Sequence, residues 1–328
     1  MGTCSMIAFA MTSQTRGEAR LGEVLSPGET LEPSSIPKPA VPALRCDCHV
    51  HVFDPAQFPY VPQRTYTPGP ATVAELRVFL ERMGMERVVL VQPSAYGTDN
   101  RCLVDALAQL GTTIARGVAV IESMHAPPPD LADMHAKGVR AIRLNLEVNG
   151  ERGSERTREA LRRAIEAVKP LGWAIQIYAD LPLIDSVSDD LARSPVPIVL
   201  DHFGGLKTEL GLRQQGFNTL LDLVRTSEVY VKLSAPYRAS TLPQYDDLAD
   251  FVRALAQAGP NRLVWASDWP HTGSSGKRRG DLNQLEPFRN IDDLRVIDLM
   301  TQWLPDVALQ HRIFVENAQR LYQFGVLR

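Results

Sequence analysis

The run Asp47-Cys48-His49-Val50-His51 sets two imidazoles two positions apart inside a short apolar stretch. Side chains alternate faces along a strand, so His49 and His51 share one face and Cys48 and Val50 take the other. Two imidazoles about 7 Å apart suit a metal ion or a polarised oxygen, and are wasteful in a plain core. The stretch 45–53 stops at Asp54-Pro55, as a strand should. Far downstream, 263–267 reads as a second buried strand, and Asp268-Trp269-Pro270-His271 follows at its end. A His-x-His dyad alone is a weak signal, because paired histidines are also satisfied in ordinary cores. An aspartate at a late strand end adds the missing base, and the constellation then reads as catalytic.

The elements that must position these groups follow from hydrophobic period and punctuation. Strands are expected over 45–53, 87–91, 114–121, 139–146, 173–178, 196–200, 229–233 and 262–267. Helices are expected over 72–83, opened by a Thr72/Glu75 capping box, and over 100–110, 131–137, 156–169, 183–193, 216–225, 245–257, 292–303 and 308–322. Eight apolar strands alternating with helices argue for an α/β chain folded as a (β/α)8 TIM barrel. A doubly wound open sheet is the alternative, but the glycine-rich dinucleotide fingerprint after the first strand is missing. Residues 1–43 lack periodicity and are rich in Pro, Gly, Ser and Thr, and are read as a flexible arm before a single barrel over 44–328.

Polar residues of interest fall just after strands, where a TIM barrel builds its active site. They are His49 and His51, Tyr66 in the long loop that follows, Gln92 and Ser94, Arg143 and Asn145, Tyr178, Asp201 and His202, Arg238, and Asp268 with His271. Ser94, Asn145 and His271 have an ordinary reading as groups that satisfy buried backbone. Arg143 lies between Ile142 and Leu144 in an apolar strand, so it needs an anionic partner, and a substrate carboxylate would serve. His125, His135 and His311 fall in loop or helix segments and receive no role.

Composition narrows the classes. The chain has 328 residues with a formal net charge of -3, which gives no reason to expect nucleic acid or an anionic membrane as partner. Four cysteines without a Cys-x-x-Cys pair indicate neither a zinc knuckle nor a disulfide framework, and a cytoplasmic location is expected. The apolar segment 4–11 is too short to span a bilayer and has no basic residue before it.

Taken together, His-x-His, Val91-Gln92-Pro93-Ser94 with Gly97-Thr98-Asp99-Asn100, Ile142-Arg143-Leu144-Asn145, Asp201-His202, Asp268-Trp269-Pro270-His271 and Asn317-Ala318-Gln319-Arg320-Leu321-Tyr322 resemble the second amidohydrolase group of the amidohydrolase superfamily. Within it the chain is similar to 2-pyrone-4,6-dicarboxylate lactonases and 4-sulfomuconolactone hydrolases, over about residues 43–324. The resemblance implies an amidohydrolase-type barrel that hydrolyses a small acidic lactone in aromatic catabolism. His49, His51 and His202 would surround the lactone carbonyl, Asp268 would act on water, and Tyr66, Ser94, Arg143, Tyr178, Arg238 and His271 would hold the ring and its acidic substituents. A second arginine of that pattern is replaced by Asn149, with Arg152 nearby, which points to a different lactone. Strand five offers Tyr178, a poor metal ligand at neutral pH, and strand four has no lysine, so a metal-free mechanism is favoured. A Zn²⁺ or Mn²⁺ site of His49, His51 and Asp268, with His202 as a fourth ligand, is the alternative. A metal-dependent decarboxylase, a sugar-lactone hydrolase or isomerase, and a non-catalytic acid-binding protein are the competing readings. A homo-oligomer is compatible with all of them.

Overall fold

Eight short runs of β-branched and apolar residues form eight parallel strands: β1 Cys46–Val50, β2 Arg87–Val91, β3 Ala115–Ala119, β4 Val139–Asn145, β5 Ala174–Tyr178, β6 Ile198–Leu200, β7 Val229–Ser234 and β8 Leu263–Ala266. The computed structural model describes residues 44–121, 130–146, 153–273 and 281–325. The chain divides into residues 1–40 and 41–328, and every described residue belongs to the second unit. The expected arm over 1–43, His125, Asn149 and Arg152 lie outside the described residues.

Each strand pairs with the next in chain order, from β1 to β8. The remaining seam is joined just beyond β8, where Asp268 N–H donates to His49 O (3.0 Å) and His51 N–H donates to Trp269 O (2.8 Å). The sheet therefore curls into the expected TIM barrel. One set of alternate residues, including Val89, Val91, Val118, Ala141, Ala174, Val199, Tyr230, Val264 and Ala266, fills the barrel interior. The other set, including Leu90, Ile142, Ile175, Ile177, Leu200, Val231 and Trp265, packs in the layer against the helices. Ala318, Leu321, Tyr322 and Phe324 join the interior set. Asn317 Nδ2 donates to Pro260 O (2.9 Å) and Leu263 O (2.7 Å), so the Asn317–Tyr322 motif anchors the chain's last described turns to the lower barrel.

Strict alternation fails in β1. The register with β2 shifts between Asp47 and Val50, the signature of a bulge, which re-aims the side chains that follow it. Cys48, expected to turn away from the imidazoles, instead lies in the barrel interior with Cys46, while His49 and His51 also reach the site. Two helices differ from expectation as well. The segment 183–193 splits into Leu181–Ser186 and Ser188–Ala192, where Ser186 Oγ donates to Leu183 O (2.7 Å) and competes with the helical ladder. The segment 308–322 is broken by a π-helical turn over Arg312–Glu316, which seats Phe314 between Trp265 (5.5 Å) and the Arg45 guanidinium (4.4 Å). The Thr72/Glu75 capping box forms as expected.

Asp47 ties the seam from within. Its Oδ1 accepts from His49 N–H (3.1 Å) and Ser267 N–H (3.0 Å), and its Oδ2 has no hydrogen-bond partner. Burial pushes this carboxyl up to about 7 against the pull of those donors. A folded value above the unfolded one makes the contribution to stability complete below about pH 4 and lost as pH rises through 7. The shift corresponds to roughly 4 kcal/mol. Asp47→Asn places an amide where the unpartnered oxygen lies, and should lack this share of the pH dependence, so that its stability gains on the unmutated protein's as pH rises from 4 to 7. Urea unfolding of both proteins across that range checks this; equal pH slopes would show that Asp47 does not titrate there.

Candidate active site

The bulge in β1, the end of β6 and the end of β8 deliver four groups to one point. His49 Nε2 and His51 Nε2 lie 3.3 Å apart, each is 3.6 Å from Asp268 Oδ1, and His202 Nε2 is 3.9 Å from the same oxygen. His202, Asp268 and His271 adopt positive φ values of 47°, 72° and 69°, an unfavourable region for residues with a Cβ. Such backbone persists where surrounding structure enforces it, and here it turns side chains inward at strand ends.

Every ring is held from behind. His51 Nδ1 donates to Val91 O (2.8 Å), His202 Nδ1 pairs with Ser234 Oγ (2.9 Å), and His49 Nδ1 faces Lys232 Nζ (3.2 Å) and Asp201 Oδ1 (3.3 Å). Burial, with Lys232 adding to it, keeps the His49 imidazole well below its ordinary value, and burial lowers His202 to about 3. Both rings are therefore neutral at physiological pH. Asp268 Oδ2 accepts from Arg238 Nε (2.9 Å), Arg238 Nη2 (2.8 Å) and Tyr237 Oη (2.8 Å). Burial alone would raise this carboxyl, but Arg238 and the nearby imidazoles outweigh it and hold it well below the usual range. One oxygen is thus committed, and Oδ1 is left buried without a hydrogen-bond partner, facing the imidazoles.

The expected binding residues divide into two groups. Tyr66, Ser94, Arg143, Tyr178 and Arg238 line one narrow cleft with His51, Asn145 and Thr272. His271 is not among that lining. It borders a neighbouring groove with Trp269 and Phe288, and pairs through Nε2 with Asp293 Oδ2 (2.9 Å). Arg143 has an anion supplied by the protein, because its Nη2 lies 3.3 Å from Asp201 Oδ2. Arg238 is likewise paired, with Asp268. His135 accepts from Trp173 Nε1 (2.8 Å), and His311 is exposed beside Glu316.

Four contributors escaped the sequence reading: Lys232, Gln176, Tyr237 and Asp293. Lys232 and Gln176 stand inside apolar strands and are wholly buried, the same signal that singled out Arg143. Tyr237 and Asp293 carry no such mark, since a tyrosine beside an arginine and an aspartate at a helix start are ordinary surface residues.

The donor set also fits a divalent cation. Zinc–nitrogen bonds of about 2.0–2.1 Å in a tetrahedron set neighbouring ligand atoms about 3.3–3.5 Å apart. The His49, His51 and Asp268 atoms lie 3.3, 3.6 and 3.6 Å apart, and the orphaned Asp268 Oδ1 faces the gap between the rings. The His51–Val91 carbonyl bond is of the kind that orients metal-ligating imidazoles.

The family model described as Amidohydrolase matches residues 46–324. The chain is 34% identical over 291 residues to a 4-sulfomuconolactone hydrolase of Rhizobium radiobacter, covering 88% of this chain and 92% of that protein. It is 32% identical over 300 residues to a 2-pyrone-4,6-dicarboxylate hydrolase of Comamonas testosteroni, covering 88% and 93%. A crystal structure from Pseudomonas putida, a candidate 2-pyrone-4,6-dicarboxylic acid hydrolase, superposes with a TM-score of 0.70 at 29% identity, covering 88% of this chain and all of that one. A barrel with His-x-His after its first strand and aspartate after its eighth, matched over nearly its whole length, places the chain in the amidohydrolase family.

Proposed function

We propose that the protein hydrolyses the ester bond of a small acidic lactone, in the catabolism of aromatic compounds. The observation that carries this reading is the unpartnered Asp268 Oδ1 facing three imidazole nitrogens at the edge of a cationic cleft. Three basic side chains, Arg143, Lys232 and Arg238, stand against two carboxylates, Asp201 and Asp268, in the buried cluster. That surplus of basic side chains suits an anionic ligand. The carboxylate or sulfonate of a lactone is of the right charge, and relatives named for such substrates match 88% of the chain.

In the proposed reaction water sits against Asp268 Oδ1. Asp268 takes its proton as the water oxygen attacks the lactone carbonyl carbon. In the cluster of His49, His51 and His202, N–H donors on His49 and His202 stabilise the negative charge that develops on the carbonyl oxygen, while His51, its own N–H held by Val91 O, positions His49. The acyl–oxygen bond then breaks, the ring oxygen takes the proton from Asp268, and the open-chain product leaves, its new carboxylic acid releasing the second proton of the water to solvent as it becomes a carboxylate. Arg143, Arg238, Tyr66, Ser94 and Tyr178 orient the ring and its acidic groups, which raises the rate by positioning. A divalent cation held by His49, His51 and Asp268 would polarise the carbonyl oxygen and acidify water.

The test is to incubate chelator-treated, metal-analysed protein with 2-pyrone-4,6-dicarboxylate and with a 4-substituted muconolactone, following ring opening by ultraviolet absorbance. Turnover with gain of one water in product mass is expected. A product of unchanged mass would make the protein an isomerase, and no turnover with or without added zinc or manganese would overturn the lactone reading.

A further inference from the structure

The interior side of β7 carries Tyr230, Lys232 and Ser234 in succession, and Lys232 lies wholly buried beneath the histidines. Its Nζ is 2.6 Å from Gln176 Oε1, 3.2 Å from His49 Nδ1 and 3.4 Å from Asp201 Oδ1. The Gln176 amide is oriented by its other end, which donates to Asp201 Oδ2 (3.0 Å), so its oxygen faces the lysine. An ammonium only donates. His49 Nδ1 makes its hydrogen-bond contact with Lys232 Nζ (3.2 Å), and Asp201 Oδ1 stands beside both groups as an ion-pair neighbour, 3.3 Å from His49 Nδ1. His49 Nδ1 is then an acceptor, and the ring proton resides on Nε2.

The next link agrees. His51 Nδ1 faces a carbonyl and must carry its proton there, which leaves His51 Nε2 as an acceptor 3.3 Å from the His49 Nε2–H. One directed chain results, from Lys232 through His49 and His51 to Val91 O, with each donor matched to an acceptor. The reverse direction is blocked at its far end, because a carbonyl cannot donate.

We infer that Lys232 is a positioning residue that fixes the tautomer of His49, so that its Nε2 carries an N–H, which rests on His51 Nε2 until an oxyanion at the site accepts it, rather than a lone pair. The catalytic meaning rests on the lactone-hydrolase reading, in which an N–H at this place serves the developing oxyanion. The same bond sets Lys232 against metal uptake. A ligating His49 Nε2 must be unprotonated, which moves the proton to Nδ1, where Asp201 Oδ1 can accept it and Lys232 can no longer donate. Lys232 therefore biases the His-x-His pair toward the metal-free state.

The experiment is nitrogen NMR of the full chain with ¹⁵N-labelled histidine rings, after chelation, with the His49 signals assigned by their loss in His49→Gln. The unmutated protein should show His49 protonated at Nε2 and bare at Nδ1. In Lys232→Met, a near-isosteric change, the proton should move to Nδ1. Zinc affinity, read by competition with a chromophoric chelator, should rise about tenfold or more. Metal-free turnover should fall by about tenfold in kcat with little change in KM, where a general loss of structure would not favour zinc. An unmutated His49 protonated at Nδ1 overturns the inference, even if Lys232→Met fails to fold. So does a folded variant with the original tautomer and unchanged zinc affinity. The tautomer and zinc readouts need no substrate, so failure of the lactone reading would show in turnover alone.

Discussion

Asp268→Asn is expected to lower kcat by about 10³-fold while KM stays within a few-fold, consistent with loss of a general base. Three donors, two from Arg238 and one from Tyr237, converge on Oδ2 and require an acceptor there. The amide oxygen must take that place, so the amide nitrogen occupies the position of Oδ1, now a donor where water needs an acceptor. The cleft groups Arg143, Tyr66 and Tyr178 are untouched, and ligand binding should persist. Some stability is lost, because the ionic partner of Arg238 becomes neutral. Circular dichroism at the assay temperature separates that effect from chemistry. A folded variant that keeps more than a tenth of the turnover would remove Asp268 from the role of base.

Asp201→Asn should show its largest effect in stability, about 3–5 kcal/mol, the cost of leaving buried charge without its partner. Asp201 is buried with Arg143 at 3.3 Å, Lys232 at 3.4 Å and Gln176 at 3.0 Å. An amide keeps at most one of these as a good acceptor and turns its nitrogen toward a cation. Burial would raise the Asp201 carboxyl, but Lys232, His49 and Arg143 overcome it and hold it well below the usual range. A depressed folded value gives stability that is present above the unfolded carboxylate value near 3.9 and lost as pH falls through the folded one. The gap between the two proteins in urea should therefore be full at pH 7, persist down to about pH 4 and close only in stronger acid. A gap under about 1 kcal/mol at pH 7 would mean that these buried groups are not charged together.

The barrel was legible in the sequence because each parallel strand is buried on both faces and so reads as a continuous apolar run between turn signals. His49, His51, His202 and Asp268 were legible because strand ends are where such a barrel exposes chemistry. Position along a strand also revealed Arg143 as a buried charge. What remained hidden was pairing, since Asp201 is 58 residues from Arg143 and the contact exists only once β4 and β6 stand near one another. The same blindness hid the carboxylate beside Arg143 and overlooked Lys232, 183 residues from His49. The β1 bulge was hidden for a different reason. Alternation is a rule of regular strands, and the one-residue slip that brings His49 and His51 to the side Cys46 and Cys48 already occupy shows only in the pairing with β2. Tyr237 and His271 depend on loop geometry after β7 and β8, where positive φ at Ala235, Asp268 and His271 redirects the chain.

The last two hydrogen bonds of the barrel are made by the peptides of His49, His51, Asp268 and Trp269. The residues proposed for chemistry are therefore the clasp of the cylinder. An enzyme whose working groups sit on mobile loops loses activity on warming before its core melts. Here no such interval is available to the central groups, because separating His49 from Asp268 means parting the first strand from the end of the last. Inactivation and opening of the barrel become one event, and a thermal screen of variants by residual activity would be reading the integrity of a single joint.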